Sequence, residues 1–339
     1  MKFFLSIFFV IAVSLANCTT LFVNLLEPTD ELNNKYNSIS EAYAAAVDGD
    51  HIAVSPGEYY DEISGSKSVT IRGTTSSSSK IISNTRSAFT ITGGNPIIEN
   101  MVIRTTGGDG ITTTTNNPNV TIRSCTFESC VNGIKVTDNC TMDIRNCIFR
   151  SYDTTGITVS TGRDDWVYGL IANCIFLGSD NTGTGVCLSI GASVTFSRFY
   201  DFDICNSIFL NNEYGIRRNT GDVIYTGVIG YNLFYNNTTH VGSVNTGTGN
   251  FMGNFDPMLG NITGDPYYNF FPSQGSVCIN NGHPNYNFRD PDGTCNDIGI
   301  FGGPHAWGGG RPVVVGIQVS PNPVQQGDVI TIQATGQTK

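Results

Sequence analysis

Apolar and polar positions in residues 98–234 follow one short phrase that occurs six times, and its spacing predicts the fold. Each copy begins with Ile, continues through two residues and a variable pair, and closes on an apolar residue. The closing residues are Ile103, Phe127, Phe149, Phe176, Phe209 and Phe234, at intervals of 24, 22, 27, 33 and 25 residues. A period in this range is typical of a solenoid, in which each repeat is one coil that buries its apolar face against its neighbours.

A second phrase follows the first in each coil and predicts another strand. Its copies open with Gly and a β-branched residue, at Gly110, Gly133, Gly156, Gly185 and Gly215. Alternation with period two places the second and fourth residues of this strand inside the coil. Arg218 breaks the last copy, where an apolar residue is expected, so we expect a turn or bulge there.

The columns formed by stacking these phrases predict an interior and a bend. We expect the Ile and Phe columns to point inward, together with Cys125, Cys147, Cys174 and Ser207. An Asn occupies the bend of the first phrase at Asn100, Asn146, Asn173 and Asn206. Asn tolerates left-handed backbone, and its side chain can bond the neighbouring coil. Three short strands per coil with these columns predict an all-β fold, a right-handed parallel β-helix.

The two ends of the chain carry different signals. Residues 1–16 read as a secretory signal, with Lys2, the apolar run 3–15 and a small-residue cleavage site at Ala16. That run is too short to span a bilayer, and we expect no membrane span elsewhere. Ser38 and Glu41 form a capping box, which predicts a short helix that closes the solenoid end.

The predicted domain organisation has four parts. After the signal peptide, residues 17–304 form the β-helix with its cap and closing segment, and residues 305–312 are a Gly-rich linker. Residues 313–339 resemble the opening strands of an immunoglobulin-like or surface-sorting module. These last residues are too few for such a sandwich, which needs roughly 100.

Composition narrows the class of partner. The formal net charge of −10 argues against nucleic acid and anionic membranes, which attract basic surfaces. It is compatible with calcium binding or with solubility alone. We expect a secreted or cell-surface monomer, and of its ten cysteines we pair Cys278 with Cys295 in a disulfide.

A family resemblance covers about residues 38–304. The run Ser38-Ile-Ser-Glu-Ala, with Asp48-Gly-Asp-His-Ile-Ala-Val, resembles the N-terminal entry of the pectin-lyase-like β-helix superfamily, in particular its secreted bacterial proteins with short repeats. The run Ser276-Val-Cys-Ile-Asn-Asn-Gly, with Asp290-Pro-Asp-Gly and Gly302-Gly-Pro, resembles its closing segment. The resemblance implies the fold and leaves the activity open.

Three connections after the second phrase are longer than the others. The distance from Thr114 and from Val136 to the Ile of the next first phrase is 8 residues. The corresponding distances from Val159, Leu188 and Arg218 are 12, 16 and 11 residues. Insertions in solenoids collect on one face, often the binding face. Aromatic rings beside charged groups suit a sugar polymer, although an ordinary polar loop has a similar composition. The predicted polysaccharide-binding residues are Arg163, Trp166, Tyr168, Arg198, Tyr200, Asp222 and Tyr225.

Two outward cations on the second phrase are candidates for catalysis. In pectate lyases of the superfamily, an Arg or Lys on the corresponding strand face removes the proton beside a uronate carboxylate, and acidic residues hold Ca²⁺. By this resemblance Lys135 and Arg217 are candidate bases, and Asp164 and Asp165 are candidate calcium ligands. Solvated cations on a sheet face are the alternative. A hydrolase is not supported, because the family's other acidic and His motifs are missing.

A second candidate calcium site lies near the end of the solenoid. Asp290, Asp292 and Asp297 have near-alternate spacing around Gly293, as in short calcium loops, although a tight turn is an equally simple interpretation. The leading hypothesis is a secreted protein that binds extracellular polysaccharide without catalysis. The alternatives are a calcium-dependent uronate lyase and a purely structural surface or adhesin segment.

Overall fold

The structure, a computed structural model, shows a parallel β-helix in which each coil visits three sheets in turn. It describes residues 18–75, 77–114, 117–161, 165–179, 183–190, 198–218, 223–260, 270–307, 313–320 and 331–337. We name the three sheets A, B and C in the order in which a coil meets them. Within these described residues the sheets contain 11, 9 and 8 strands, and all of their strand pairs are parallel.

The strand bounds follow the two phrases of the repeat. Sheet A contains Lys35–Tyr36, Thr20–Val23, His51–Val54, Thr70–Gly73, Ile97–Glu99, Asn119–Arg123, Cys140–Arg145, Trp166–Ala172, Arg198–Cys205, Val223–Tyr225 and Ile229–Gly230. Sheet B contains Gly57–Tyr59, Ser79–Ser83, Val102–Thr105, Thr126–Glu128, Ile148–Arg150, Ile175–Leu177, Ile208–Leu210, Leu233–Tyr235 and Phe251–Met252. Sheet C contains Ile63–Gly65, Phe89–Ile91, Ile111–Thr113, Asn132–Val136, Thr155–Thr161, Thr184–Ile190, Tyr214–Arg218 and Thr239–Gly242.

The inward columns lie where the alternation predicts. The Phe column forms a continuous stack with ring centroids 4.6 to 4.9 Å apart, from Phe127 through Phe149, Phe176 and Phe209 to Phe234. Cys125, Cys147 and Cys174 are buried beside it, and burial raises the pKa of the Cys147 thiol well above its ordinary value. The column of small residues continues through buried Ser207, as expected.

The glycine that opens the second phrase is required by close packing. At Gly133, a β-carbon would lie 2.5 Å from the carbonyl oxygen of Gly156 and 2.6 Å from the ring of Phe149. The glycines at the same place in the other coils face a carbonyl and a Phe ring in the same way. Only a residue without a side chain fits between the Phe stack and the next coil.

The predicted N-terminal cap is a single short helix. Helix α1 (Ile39–Ala45) begins after Ser38, whose Oγ accepts a hydrogen bond from the Glu41 backbone N–H at 3.2 Å. Lys67 closes its other end, since Nζ donates to the carbonyls of Tyr43, Ala44 and Ala46. Short 3₁₀ turns occur at Glu31–Asn33 and Tyr286–Phe288. No helix in the described ranges has the length and apolar composition needed to cross a lipid bilayer.

The Asn column has the predicted backbone but different side-chain partners. Asn100, Asn146, Asn173 and Asn206 have φ between 52° and 56°, in the left-handed region. The side chain of Asn173, however, donates to the carbonyls of Asp297 at 2.9 Å and Gly299 at 3.1 Å. The expectation that this column bonds the neighbouring coil is therefore wrong at Asn173, and Asn146 likewise donates to Ile300. These partners lie in residues 270–307, which we call the closing segment.

The closing segment builds a second apolar core outside the coils. Four residues that point outward from sheet B are fully buried beneath it: Ile148, Ile175, Ile208 and Leu233. They contact the apolar side chains of the closing segment, which are Phe270, Cys278, Ile298, Ile300, Phe301 and Trp307. The Trp307 indole N–H also donates to the carbonyl of Asn146 at 2.6 Å, so the segment is anchored to the bend of a coil about halfway along the solenoid.

Two predicted features, a disulfide and a C-terminal module, can be compared with the described residues. Cys278 and Cys295, the predicted disulfide pair, are both free thiols in this structure, Cys278 buried in the second core and Cys295 exposed. Val313–Ser320 and Thr331–Gln337 pair as an antiparallel hairpin, in the region expected to open a sandwich module. The predicted signal peptide and most of the linker fall outside the described residues.

Candidate functional site

The outer face of sheet C carries the two candidate bases in one row. The strand register aligns Thr112, Lys135, Thr158, Cys187 and Arg217, as the repeat predicts. Three strand steps separate Lys135 from Arg217, which amounts to about 14 Å. The two cations therefore cannot act on the same proton.

A polar network around Lys135 was missed in the sequence. Its centre is Asp109, whose Oδ1 accepts from Asn132 Nδ2 at 2.6 Å and whose Oδ2 lies 3.7 Å from Lys135 Nζ. Thr112 Oγ1 donates to the same carboxylate at 3.3 Å. Asp109 and Asn132 each directly precede the Gly of the second phrase, three positions before the outward residue, so period-two alternation counts them as inward and does not reveal this network.

Arg217 has a different environment from Lys135. Its guanidinium carbon lies 4.6 Å from the centre of the Tyr214 ring, which is a cation–π contact. Tyr214 occupies the same column as Asn132, through Thr155 and Thr184. The row thus carries two separate cationic positions, one beside a carboxylate and one over an aromatic ring.

The outer face of sheet A carries an aromatic pair formed by half-buried Trp166 and exposed Tyr168, two predicted binding residues that lie in a strand rather than in the expected loop. The rings of Trp166 and Tyr168 are 4.9 Å apart and tilted by 39°. Tyr168 is 42% exposed, and its neighbours across the sheet are Thr141 and Asp201. The backbone N–H of Trp166 donates to Asn139 Oδ1 at 2.7 Å, which fixes the start of this strand. Two large rings on a flat sheet surface can stack against sugar rings.

Other predicted binding residues occupy different positions. Tyr200 is wholly buried, and its hydroxyl lies 3.0 Å from Thr161 Oγ1, so its placement on a binding surface is corrected. The reason is register, because Tyr200 pairs with inward Val167 on an unexpectedly long strand. Tyr225 donates to the Phe202 carbonyl at 2.8 Å, and burial raises its pKa. Arg163, Asp164 and Asp222 lie outside the described residues, and of Arg198 only the strand position is described.

The acidic residues near Gly293 accept hydrogen bonds from backbone N–H groups within the closing segment. Asp290 Oδ1 accepts from the Gly303 backbone N–H at 2.6 Å, and Asp297 Oδ1 accepts from the Asn280 backbone N–H at 2.7 Å. Asp292 caps its own turn by accepting from the Thr294 backbone N–H at 2.9 Å. Burial raises the pKa of Asp290 to about 7. Among the described residues, which include Asp165, no group of three or more His, Cys, Asp or Glu is arranged to hold a metal ion.

A row of charged residues on sheet A was also missed in the sequence. Register aligns Arg72, Glu99, Arg123 and Arg145 on adjacent strands of the outer face. Asp143 bridges two of them, accepting from Arg123 Nη2 at 3.0 Å and Arg145 Nε at 2.5 Å. Arg72 Nε lies 3.3 Å from Glu99 Oε1. Glu99, Arg123 and Arg145 each directly follow the Ile that opens the first phrase, so stacking the copies of that phrase would already have aligned them in one column.

A match to a family model supports the fold. Residues 33–169 match the family model described as a right handed beta helix region, which gives the solenoid its hand. Pectin methylesterase PemA from Erwinia chrysanthemi aligns at 12% identity over 69% of this chain and 80% of that chain, with a TM-score of 0.32. The deglycosylated pectin methylesterase from Aspergillus niger aligns at 13% identity over 68% and 91%, with a TM-score of 0.35. No curated protein matches the chain by sequence.

Proposed function

We propose that the protein binds extracellular polysaccharide through the outer face of sheet A, with Trp166 and Tyr168 as the platform for sugar rings. The aromatic pair carries this proposal, because two adjacent large rings on the outer face of a sheet offer a surface on which sugar rings can stack. Thr141 and Asp201 flank Tyr168 and supply hydrogen-bonding groups for sugar hydroxyls. We expect the predicted signal peptide to direct the protein out of the cell, where such polymers occur.

Binding to a panel of polymers tests the proposal. Polygalacturonate, alginate and neutral glucans would be titrated against the protein, and binding followed by isothermal titration calorimetry, which does not depend on the side chains that are substituted. We expect Trp166→Ala and Tyr168→Ala each to weaken binding by about tenfold, since stacking of a ring contributes roughly 1 kcal/mol or more. Tyr60→Ala is the matched control, because Tyr60 is 68% exposed and lies in a loop after a sheet B strand.

A second candidate function is a calcium-dependent uronate lyase on sheet C. The observation in its favour is the ordered network around Lys135, which holds a 40% exposed side chain beside a carboxylate and hydroxyl groups. In such a reaction the base removes the proton beside the uronate carboxylate, and the glycosidic oxygen leaves as a double bond forms. We include calcium here as part of the hypothesis, with Asp164 and Asp165 as its candidate ligands.

Product absorbance decides between the two candidates. The protein would be incubated with polygalacturonate or alginate, with and without Ca²⁺, and unsaturated product followed in the ultraviolet. Product that disappears in Lys135→Ala or Arg217→Ala, but not in Lys80→Ala, establishes the lyase. Lys80 is a suitable control, because it is also paired with a carboxylate, that of Glu58, on another sheet. Absence of both product and binding leaves the structural surface segment as the function.

A further inference from the structure

The geometry points to a second binding site on sheet A, in which Arg123, Arg145 and His305 bind an acidic group of the polymer, either a carboxylate or a sulfate ester. The inference rests on the proposed function for the identity of the polymer. It adds a chemical class, because the aromatic pair alone does not distinguish acidic from neutral sugars.

The charge balance of the site favours an anion. Three guanidinium groups in the row face two carboxylates, in a chain whose overall charge is −10. Glu99 is engaged by Arg72, and both oxygens of Asp143 are engaged by Arg123 and Arg145. One carboxylate therefore orients two guanidinium groups without neutralising both. Guanidinium groups held in this way are suited to carboxylate and sulfate oxygens.

The two guanidinium groups keep unused donors. Arg145 contacts Asp143 through Nε, and its side chain is 24% exposed. Arg123 contacts Asp143 through Nη2, and its Nε is shielded and has no hydrogen-bond partner among the described residues. A shielded, unpaired donor is costly, and a guanidinium retains five N–H groups in all. The described residues of the protein therefore accept hydrogen bonds from only some of the N–H donors of Arg123 and Arg145.

The closing segment brings His305 to the site. Burial lowers the pKa of His305, and the positive charges of Arg123 and Arg145 lower it further, against the opposing effect of Asp143 and Glu99. Trp307, two residues further on, is fastened to the carbonyl of Asn146, which directly follows Arg145. The imidazole is therefore held near the guanidinium groups by residues about 160 positions away in sequence.

The site lies on the same face as the aromatic pair. Arg145 is in register with Ala172, four residues beyond Tyr168 on one strand. At about 3.3 Å per residue, the two positions are roughly 13 Å apart along the strand direction. A short run of sugars covers this distance, so one chain can stack on Tyr168 and place an acidic group at Arg145.

Matched polymers test the inference. Polygalacturonate would be compared with its methyl ester, and dextran sulfate with dextran, so that each pair differs only in the acidic group. We expect Arg145→Gln and Arg123→Gln to lower the affinity for the charged member about tenfold and to leave the uncharged member unchanged. Arg145→Lys should retain part of the preference, and exposed Arg86→Gln should retain all of it. A charge preference that survives in both Gln variants would overturn the site. The pair that shows the effect identifies a carboxylate or a sulfate as the ligand.

A second measurement separates this inference from the proposed function. The imidazole pKa of His305 would be followed by NMR with galacturonate or inorganic sulfate, neither of which needs the aromatic pair. Binding of an anion beside the imidazole favours its charged form, so we expect its pKa to rise in the native protein and not in Arg145→Gln. No shift with either anion sinks the site even if Trp166→Ala abolishes polymer binding. If the pKa of His305 shifts with the small anions but no polymer binds, the anion site is supported and the proposed function of Trp166 and Tyr168 is contradicted.

Discussion

The outer faces of sheets A and B are built from the same repeat, yet one is open and the other is sealed. On sheet B the outward residues include Ile148, Ile175 and Ile208, all wholly buried by the closing segment. On sheet A the outward residues include exposed Tyr168 and half-buried Arg145. Period-two alternation separates inward from outward positions, but outward is not the same as exposed. An apolar outward column marks a face that another segment covers.

The outer face of sheet B carries ion-paired side chains in the earlier coils and covered apolar side chains in the later ones. Beside the apolar column, earlier coils place Glu128 between Arg104 and Arg150, and its carboxylate accepts from both guanidinium groups. Register aligns these three residues in one outward column that continues as Leu177. One face therefore changes from paired charges to apolar cover along the solenoid axis.

The largest expected effect on stability comes from truncating a residue of sheet B that the closing segment covers. Ile175→Ala should lower the free energy of unfolding by about 2–5 kcal/mol, because the side chain is wholly buried beneath the closing segment. Leu170→Ala is the counterpart on sheet A, where the outward side chain is only half-buried, and should cost about 1 kcal/mol or less. Urea denaturation measures both, and equal losses would show that the closing segment does not cover sheet B in solution.

The anchoring of the closing segment is tested within the Asn column. Asn173→Ala removes hydrogen bonds to Asp297 and Gly299 and should cost about 1–3 kcal/mol. Asn100→Ala is the control, because it has the same left-handed backbone, with φ of 56°, in a coil that this anchor does not involve. Trypsin cleavage at exposed Arg289 reports release of the segment. Faster cleavage in Asn100→Ala than in Asn173→Ala would refute the anchor.

The charged part of sheet B should respond to acid. Burial alone would raise the pKa of Glu128, but hydrogen bonds from Arg104 and Arg150 outweigh it and leave the pKa below its ordinary 4.5. The folded state thus gains stability from the ionised form above that value and loses it as the pH falls through the lowered pKa. Glu128→Gln should cost about 2 kcal/mol at neutral pH and flatten this acid dependence, measured by thermal unfolding. A variant with the wild-type slope would exclude Glu128 as its source.

The smallest expected effect is at Asp290, inside the closing segment. Its pKa of about 7, raised by burial, means that the folded state binds a proton more tightly than the unfolded chain does. Stability should therefore rise as the pH falls from about 7 towards the ordinary value of 3.8. Asp290→Asn keeps an oxygen for the Gly303 N–H, so at pH 5 it should match the wild type within about 0.5 kcal/mol. Thermal unfolding from pH 4 to 8 should show a flatter profile for the variant, and an unchanged profile would assign the dependence elsewhere.

Much of the candidate site follows from strand register and little of it from single motifs. Lys135 and Arg217 lie in the predicted row, because the second phrase alternates regularly up to that point. The lengthened connection predicts a loop at Tyr200 and therefore a surface position, whereas the strand begins at Arg198 and the ring of Tyr200 points inward. Local patterns cannot locate the start of a strand when pairing with a neighbouring coil extends it.

By itself, the sequence determined the coil: its period, its inward Ile, Cys and Phe columns, its glycines under the Phe rings and its left-handed Asn bends. These features depend on neighbouring residues and on stacking one repeat on the next, so a periodic pattern contains them. Only the tertiary structure decided what covers the coil. The partners of Asn173 and Asn146 arrive from residues more than 120 positions away, and no periodicity encodes contacts between a solenoid and a segment that returns along its outside.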